Sequence, residues 1–217
     1  MTGPHSLDEL IDRADRGMGL IRRWVDAAEV RCEVLPASSE SGRVLCELQV
    51  TTGTPLGAMA YETGGILIEL GWLRLLGSGH ERLPRNLADW NRTRSTRFRL
   101  IADDAVGGFF ALNQGAFGDD VDTVYYWAPD SLRWEPMGFG FSDFLQWSLS
   151  ICVSDFYQNL RWGDWEREVG LLPGDQCFMF DPFLWTKEGS VRESVRRVAP
   201  VAEVFDLKAD LQRRSTP

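Results

Sequence analysis

Residues 64–76 read GGILIELGWLRLL, and the fold turns on how they are read. Ile66–Leu70 and Trp72–Leu76 are short, apolar, β-prone runs parted by Gly71, a spacing that predicts an antiparallel hairpin. Downstream, Arg97, Phe98, Arg99 and Leu100 alternate polar and apolar, as a half-buried strand does. Residues 103–108 (DDAVGG) supply a turn before FFALN at 109–113. The runs TVYYW and LRWEPM flank Ala128-Pro129-Asp130-Ser131, where proline presets the turn dihedral. Together these predict an antiparallel meander of about six strands, close to the mean sheet size.

Helical spacing dominates both ends of the chain. Ser6 and Glu9 form a capping-box pattern ahead of Leu7, Leu10, Ile11 and Ala14, with Gly17 and Gly19 expected to end that helix. Leu20, Ile21, Trp24, Val25 and Ala28 make a second stripe, and serines 38, 39 and 41 can cap a third helix carrying Val44, Leu45 and Leu48. Residues 51–65, rich in Gly, Pro and Thr, read as loop or short strand. A short helix is expected near Leu87–Asn91. Another begins at Ser142 and carries Phe144, Leu145, Ser148, Ile151 and Cys152 on one face. One more short helix follows Gly163, and the chain ends in a polar, basic-leaning tail. The class is α+β, with residues 1–217 read as a single domain.

Composition bounds the function. The chain has 217 residues, a net charge of −9, 44% hydrophobic and 25% charged residues. These values exclude a disordered, fibrous or disulfide-stapled protein. Negative charge argues against a general nucleic-acid partner. Four scattered cysteines, 32, 46, 152 and 177, read as reduced and mostly core. The N-terminus lacks a basic and apolar leader, and no apolar run reaches the length of a membrane span, so a cytoplasmic protein without membrane association is expected.

Motifs for chemistry are sparse. His5 and His80 are the two histidines. No zinc spacing, Walker lysine, dinucleotide fingerprint or nucleophile elbow occurs, so no cofactor and no metal are expected. Charge is segregated instead. Residues 71–100 carry seven arginines against two acids, and residues 101–150 eight acids against Arg133. The eight aromatics from Tyr125 to Trp147 lie within the acidic part. Asp119, Asp120, Asp122, Trp134 and Glu135 are therefore candidate residues for binding a protein partner. Arg74, His80, Arg82, Arg85, Arg92 and Arg94, within the Arg-rich segment 74–99, are candidates for an anionic ligand of a small-molecule-binding protein or enzyme.

The string LGAMAYETGGILIELGWLRLLGSG at 56–79 is long and compositionally unusual. With LDELID and VYYWAPDSLRWEPMGFGFSDFLQWSL, it makes the whole chain resemble bacterial domain-of-unknown-function family 2625, which implies no activity. Residues 33–152 also resemble the Smi1/Knr4-like (SUKH) superfamily, through Leu35-Pro36, Gly64-Gly65, Trp134, Ser142, Asp143, Phe144 and Leu145. Residues 158–217 then form a C-terminal extension, and residues 51–64 depart from the pattern. This second resemblance implies a non-catalytic protein-interaction domain, with immunity proteins that bind a nuclease toxin among its members.

Overall fold

The structure, a computed structural model, describes residues 3–215. Nine strands and nine α-helices are described in α+β order. Helices α1 (Leu7–Leu10) and α2 (Arg16–Asp26) come first, then β1 (Cys32–Pro36), α3 (Ser41–Leu48) and α4 (Pro55–Glu62). The hairpin β2 (Thr63–Ile68) and β3 (Leu73–Leu76) follows, with a 3-10 turn at Glu69–Gly71. Then come α5 (Leu87–Arg92), β4 (Phe98–Asp104), β5 (Phe109–Asn113), β6 (Val124–Trp127) and β7 (Glu135–Pro136). The C-terminal part holds α6 (Phe141–Ser148), α7 (Cys152–Tyr157), α8 (Trp165–Gly170), β8 (Gln176–Asp181), β9 (Val195–Pro200) and α9 (Val201–Ser215).

Strands β1 to β7 form one antiparallel sheet in sequence order, and β8 and β9 form a separate ribbon. The predicted hairpin pairs Gly65 with Leu76 and Ile68 with Leu73. Its strands are buried throughout, which explains why they read as unbroken apolar runs rather than alternating ones. The sheet has one strand more than the estimated six, because the short segment Cys32–Pro36 adds an edge to β2. Ring contacts show helices on both faces. Phe110 meets Phe144 of α6, while Phe109 and Trp127 meet Phe205 of α9.

Four local expectations are corrected. The segment 51–65 contains α4, with Pro55 at its first position and the Thr54 hydroxyl accepting from the Gly57 amide at 3.2 Å. Residues 55–60 of α4 are all buried, so it shows no amphipathic stripe. Gly17 and Gly19 do not end a helix but lie inside α2, while α1 stops after one turn at Ile11. A Cβ on Gly17 would stand 2.2 Å from the Thr52 carbonyl oxygen, so close packing explains that glycine. The helix expected from Ser142 starts one residue earlier, capped at Gly140, and divides into α6 and α7. Hydroxyls of Ser148 and Ser150 bond back to the Leu145 and Trp147 carbonyls at the break, leaving Ile151 and Cys152 exposed. The polar tail contains α9, which buries Val201, Val204, Phe205 and Lys208 at helical spacing.

No helix among the described residues is long and apolar enough to cross a membrane.

Candidate functional site

Strand β6 has a buried aromatic on each face. Tyr126 stacks on Phe110 on one side, and Trp127 lies 5.0 Å from Trp134 on the other. Each face opens into a cleft.

The first cleft, about 410 Å³, lies between the β6–β7 hairpin and the segments around Phe156–Leu160 and Leu184–Val191. Phe156, Leu160, Leu184 and Val191 supply an apolar lining; Asp130, Glu135, Asn159 and Ser190 supply polar groups. Asp130 and Glu135 are exposed and form no ion pair among the described residues. The cleft therefore presents two solvated carboxylates beside apolar surface, a combination suited to a cationic side chain with an aliphatic stem.

Behind its Tyr126 wall lies a saturated polar knot. Asp104, fully buried, accepts from the Tyr126 hydroxyl at 2.7 Å and the Tyr157 hydroxyl at 3.2 Å on Oδ2. Its Oδ1 accepts from the amides of Gly108 at 2.7 Å and Val106 at 3.1 Å. Burial pushes the Asp104 carboxyl up and both tyrosines well above their usual value. Four donors occupy the four acceptor positions of a carboxylate, so Asp104 is a structural tie with no lone pair left for a substrate proton. Nearby, Lys208 of α9 is fully buried and donates to the Ala128 carbonyl at 2.7 Å. Burial lowers its ammonium to about 7. Cys177 is also buried, and its thiol is pushed up to about 12, which leaves it unreactive. No group of three or more His, Cys, Asp and Glu among the described residues could hold a metal ion.

The acidic and aromatic candidates are distributed around β6. Asp119, Asp120 and Asp122 are exposed on the loop before it. Asp120 is tied down by the Tyr125 hydroxyl at 2.9 Å and the Asn113 amide at 3.0 Å. Glu135 lines the first cleft, whereas Trp134 lines another of about 360 Å³ on the opposite face.

The six basic candidates do not converge on one cavity. Arg74 and Arg85 both bond to the buried Asp103 and reach the Gln176 and Gly174 carbonyls, stitching the sheet to the C-terminal segment. Arg82 pairs with Glu33, and its amide donates to His80 Nδ1. Arg92 pairs with Glu47 and Asp89 on the surface. Arg94 lies over Trp90 at 4.3 Å and lines the Trp134 cleft. Part of the sequence-level charge segregation is thus cancelled internally. Sequence reading missed Asp130, Asn159 and Ser190, which no motif connects and which only chain folding brings to Glu135.

The molecule is an α+β protein built on a seven-stranded antiparallel meander with helices on both faces. It belongs to the family described as "Protein of unknown function DUF2625", whose model matches residues 7–204. It is similar to the uncharacterized protein YbfG of Escherichia coli (strain K12), 39% identical over 214 residues that cover 97% of this chain and 98% of the relative. It is also similar to an uncharacterized protein of Haemophilus influenzae, 41% identical over 187 residues and 82% of each chain. No solved structure matches.

Proposed function

We propose that the chain is a non-catalytic protein-interaction module that receives a basic segment of a partner protein at the β6–β7 hairpin. The observation that carries this reading is the pair Asp130 and Glu135, exposed at an apolar-lined cleft without ion-pair partners among the described residues. Asp119, Asp120 and Asp122 add exposed carboxylates at the other end of β6, whereas Trp134, next to Glu135 in sequence, faces the opposite cleft. A net charge of −9 steers a cationic partner toward this surface. The resemblance of residues 33–152 to the Smi1/Knr4-like superfamily supports an immunity-type role, in which the partner is a toxin domain with a basic substrate-binding surface. Cytoplasmic residence fits that role.

The test is affinity purification from the native host, followed by calorimetry on the purified partner. Reversal of both cleft charges (Asp130→Lys with Glu135→Lys) is expected to weaken binding at least tenfold, about 1.4 kcal/mol. Raising salt is expected to slow association. Absence of a specific partner, or an affinity that survives the reversal, overturns the reading.

A further inference from the structure

On the opposite face of the meander, the cleft of about 360 Å³ has a different chemistry. Its lining includes Phe98, Phe117, Trp127 and Trp134, with Arg94 and Arg213 beside them. The rings form a connected wall: Phe117 stacks on Trp134 at 4.9 Å, and Phe98 lies 5.2 Å from Phe117. Phe98, Phe117 and Trp134 are only partly buried, so ring surface remains open to the cleft.

Hydrogen bonding adds an independent observation. Trp127, 1% exposed, has a buried indole N–H with no acceptor among the described residues, and the buried Arg94 Nε is likewise without one. Six other buried nitrogens share that condition, but none belongs to a residue lining the Asp130–Glu135 cleft. Unsatisfied buried donors are costly and call for an acceptor. Each arginine has one acidic neighbour on α9, and the Arg94 guanidinium also lies over Trp90 at 4.3 Å, but neither pairing uses more than one of the guanidinium N–H groups. Arg94 Nε lies 3.6 Å from Asp206, beyond hydrogen-bond range, and Arg213 pairs with Asp210 one turn back on a largely exposed helix face. Acids adjacent in sequence to the two tryptophan segments, Asp130 and Glu135, line the other cleft, so the ring wall has arginine neighbours in space.

From this juxtaposition we infer that the cleft is a binding site for a small planar aromatic anion, a ring system bearing a carboxylate or phosphate. The ring lies against the Phe117–Trp134 stack, and the anionic oxygens accept from Arg94 and Arg213. Aromatic stacking tolerates many ring types, whereas the anion is selected by charge-assisted hydrogen bonds. The volume falls within the usual range for small-molecule sites. The site is distinct from the Asp130–Glu135 cleft and does not depend on the protein-partner reading.

Calorimetric titration of the full chain with indole-3-acetate and with adenosine 5′-monophosphate tests this, against indole-3-acetamide and adenosine as uncharged counterparts. At least one acid is expected to bind saturably with a Kd below about 1 mM, and its counterpart at least about tenfold more weakly. Arg213→Ala, at an exposed rim position that leaves the core intact, is expected to weaken the acid about five- to tenfold, as the loss of one charge-assisted contact does. Trp134→Ala is expected to abolish it. Arg82→Ala, on a different surface, and the Asp130→Lys, Glu135→Lys double variant are expected to leave it unchanged. The inference is overturned if neither acid binds saturably, if acid and uncharged counterpart bind alike, or if Arg213→Ala has no effect.

Discussion

Arg74 and Asp103 are register partners across β3 and β4, and the Arg74 Nε donates to Asp103 Oδ1 at 2.7 Å inside the core. Asp103 also holds Arg85, so one carboxylate with no solvent exposure pairs with two guanidinium groups. Through the Gln176 and Gly174 carbonyls, those groups also fasten the segment that leads into β8. Removing one partner of a buried pair leaves the other charged and uncompensated. Asp103→Ala is therefore expected to destabilise the protein by about 3–5 kcal/mol. Arg74→Ala is expected to cost less, because Arg85 still pairs with the carboxylate. Urea denaturation of both variants checks the order, and equal losses would refute it.

Lys208 makes stability depend on pH. Burial disfavours its charged form, so the folded protein releases this proton at about 7 while the unfolded chain keeps it to its ordinary value of 10.5. Between those values the unfolded state binds more protons, so the lysine's contribution to stability rises with pH. The penalty is full below about pH 7. Cys177 acts in the opposite sense above its ordinary value of 9.0, because burial holds its thiol protonated in the folded state. The buried Asp104 carboxyl, also raised by burial, works against the lysine, so the Lys208 contribution is read as a difference from Lys208→Met between pH 7 and 9. Across that window the wild type is expected to gain about 2 kcal/mol more than Lys208→Met in denaturation curves. Parallel curves would show that Lys208 is not the titrating group.

Glycine 57 offers a test of packing against propensity. Alanine there favours a helix by about 1 kcal/mol on intrinsic grounds. A Cβ at this site, however, would stand 2.0 Å from the Thr51 carbonyl oxygen. Gly57→Ala is expected to destabilise by about 1–3 kcal/mol, the usual cost of overpacking. A raised melting temperature would contradict the close approach of α4 to that segment.

The two tyrosines on Asp104 are not equivalent. Tyr126→Phe removes the shorter bond, at 2.7 Å, and is expected to cost about 1–3 kcal/mol as the carboxylate loses a buried donor. Tyr157→Phe removes the bond at 3.2 Å and is expected to cost less. Thermal denaturation of the pair decides it.

Much of the meander was legible before the structure. The hairpin of Ile66–Leu76 and the turn at Ala128–Ser131 are local patterns that survive into the fold. The strand read at Arg97–Leu100, by contrast, starts at Phe98, runs on to Asp104 through residues read as a turn, and is buried from Leu100 onward rather than alternating. Helices α4 and α9 were not legible, for one shared reason. Reading by amphipathic period assumes one wet face and exposed charges. Helix α4 has its first six residues buried, and α9 uses Lys208 as a core residue. The candidate site was legible only in fragments: Glu135 and Trp134 stood out, but Asp130 and Arg213 did not.

The sequence by itself determined the order of the six meander strands β2 to β7, the apolar runs of the central sheet, the overall negative charge and the family. Each follows from neighbours along the chain or from composition, and both are conserved on folding. Tertiary structure alone decided which charges face water. The Arg-rich segment surrenders Arg74 and Arg85 to Asp103, while Asp130 and Glu135 stay solvated. It also decided that Trp134 and Glu135 line opposite clefts. The physical reason is that successive residues of an extended chain point to opposite sides, so what each one meets is set by distant elements packed on that side.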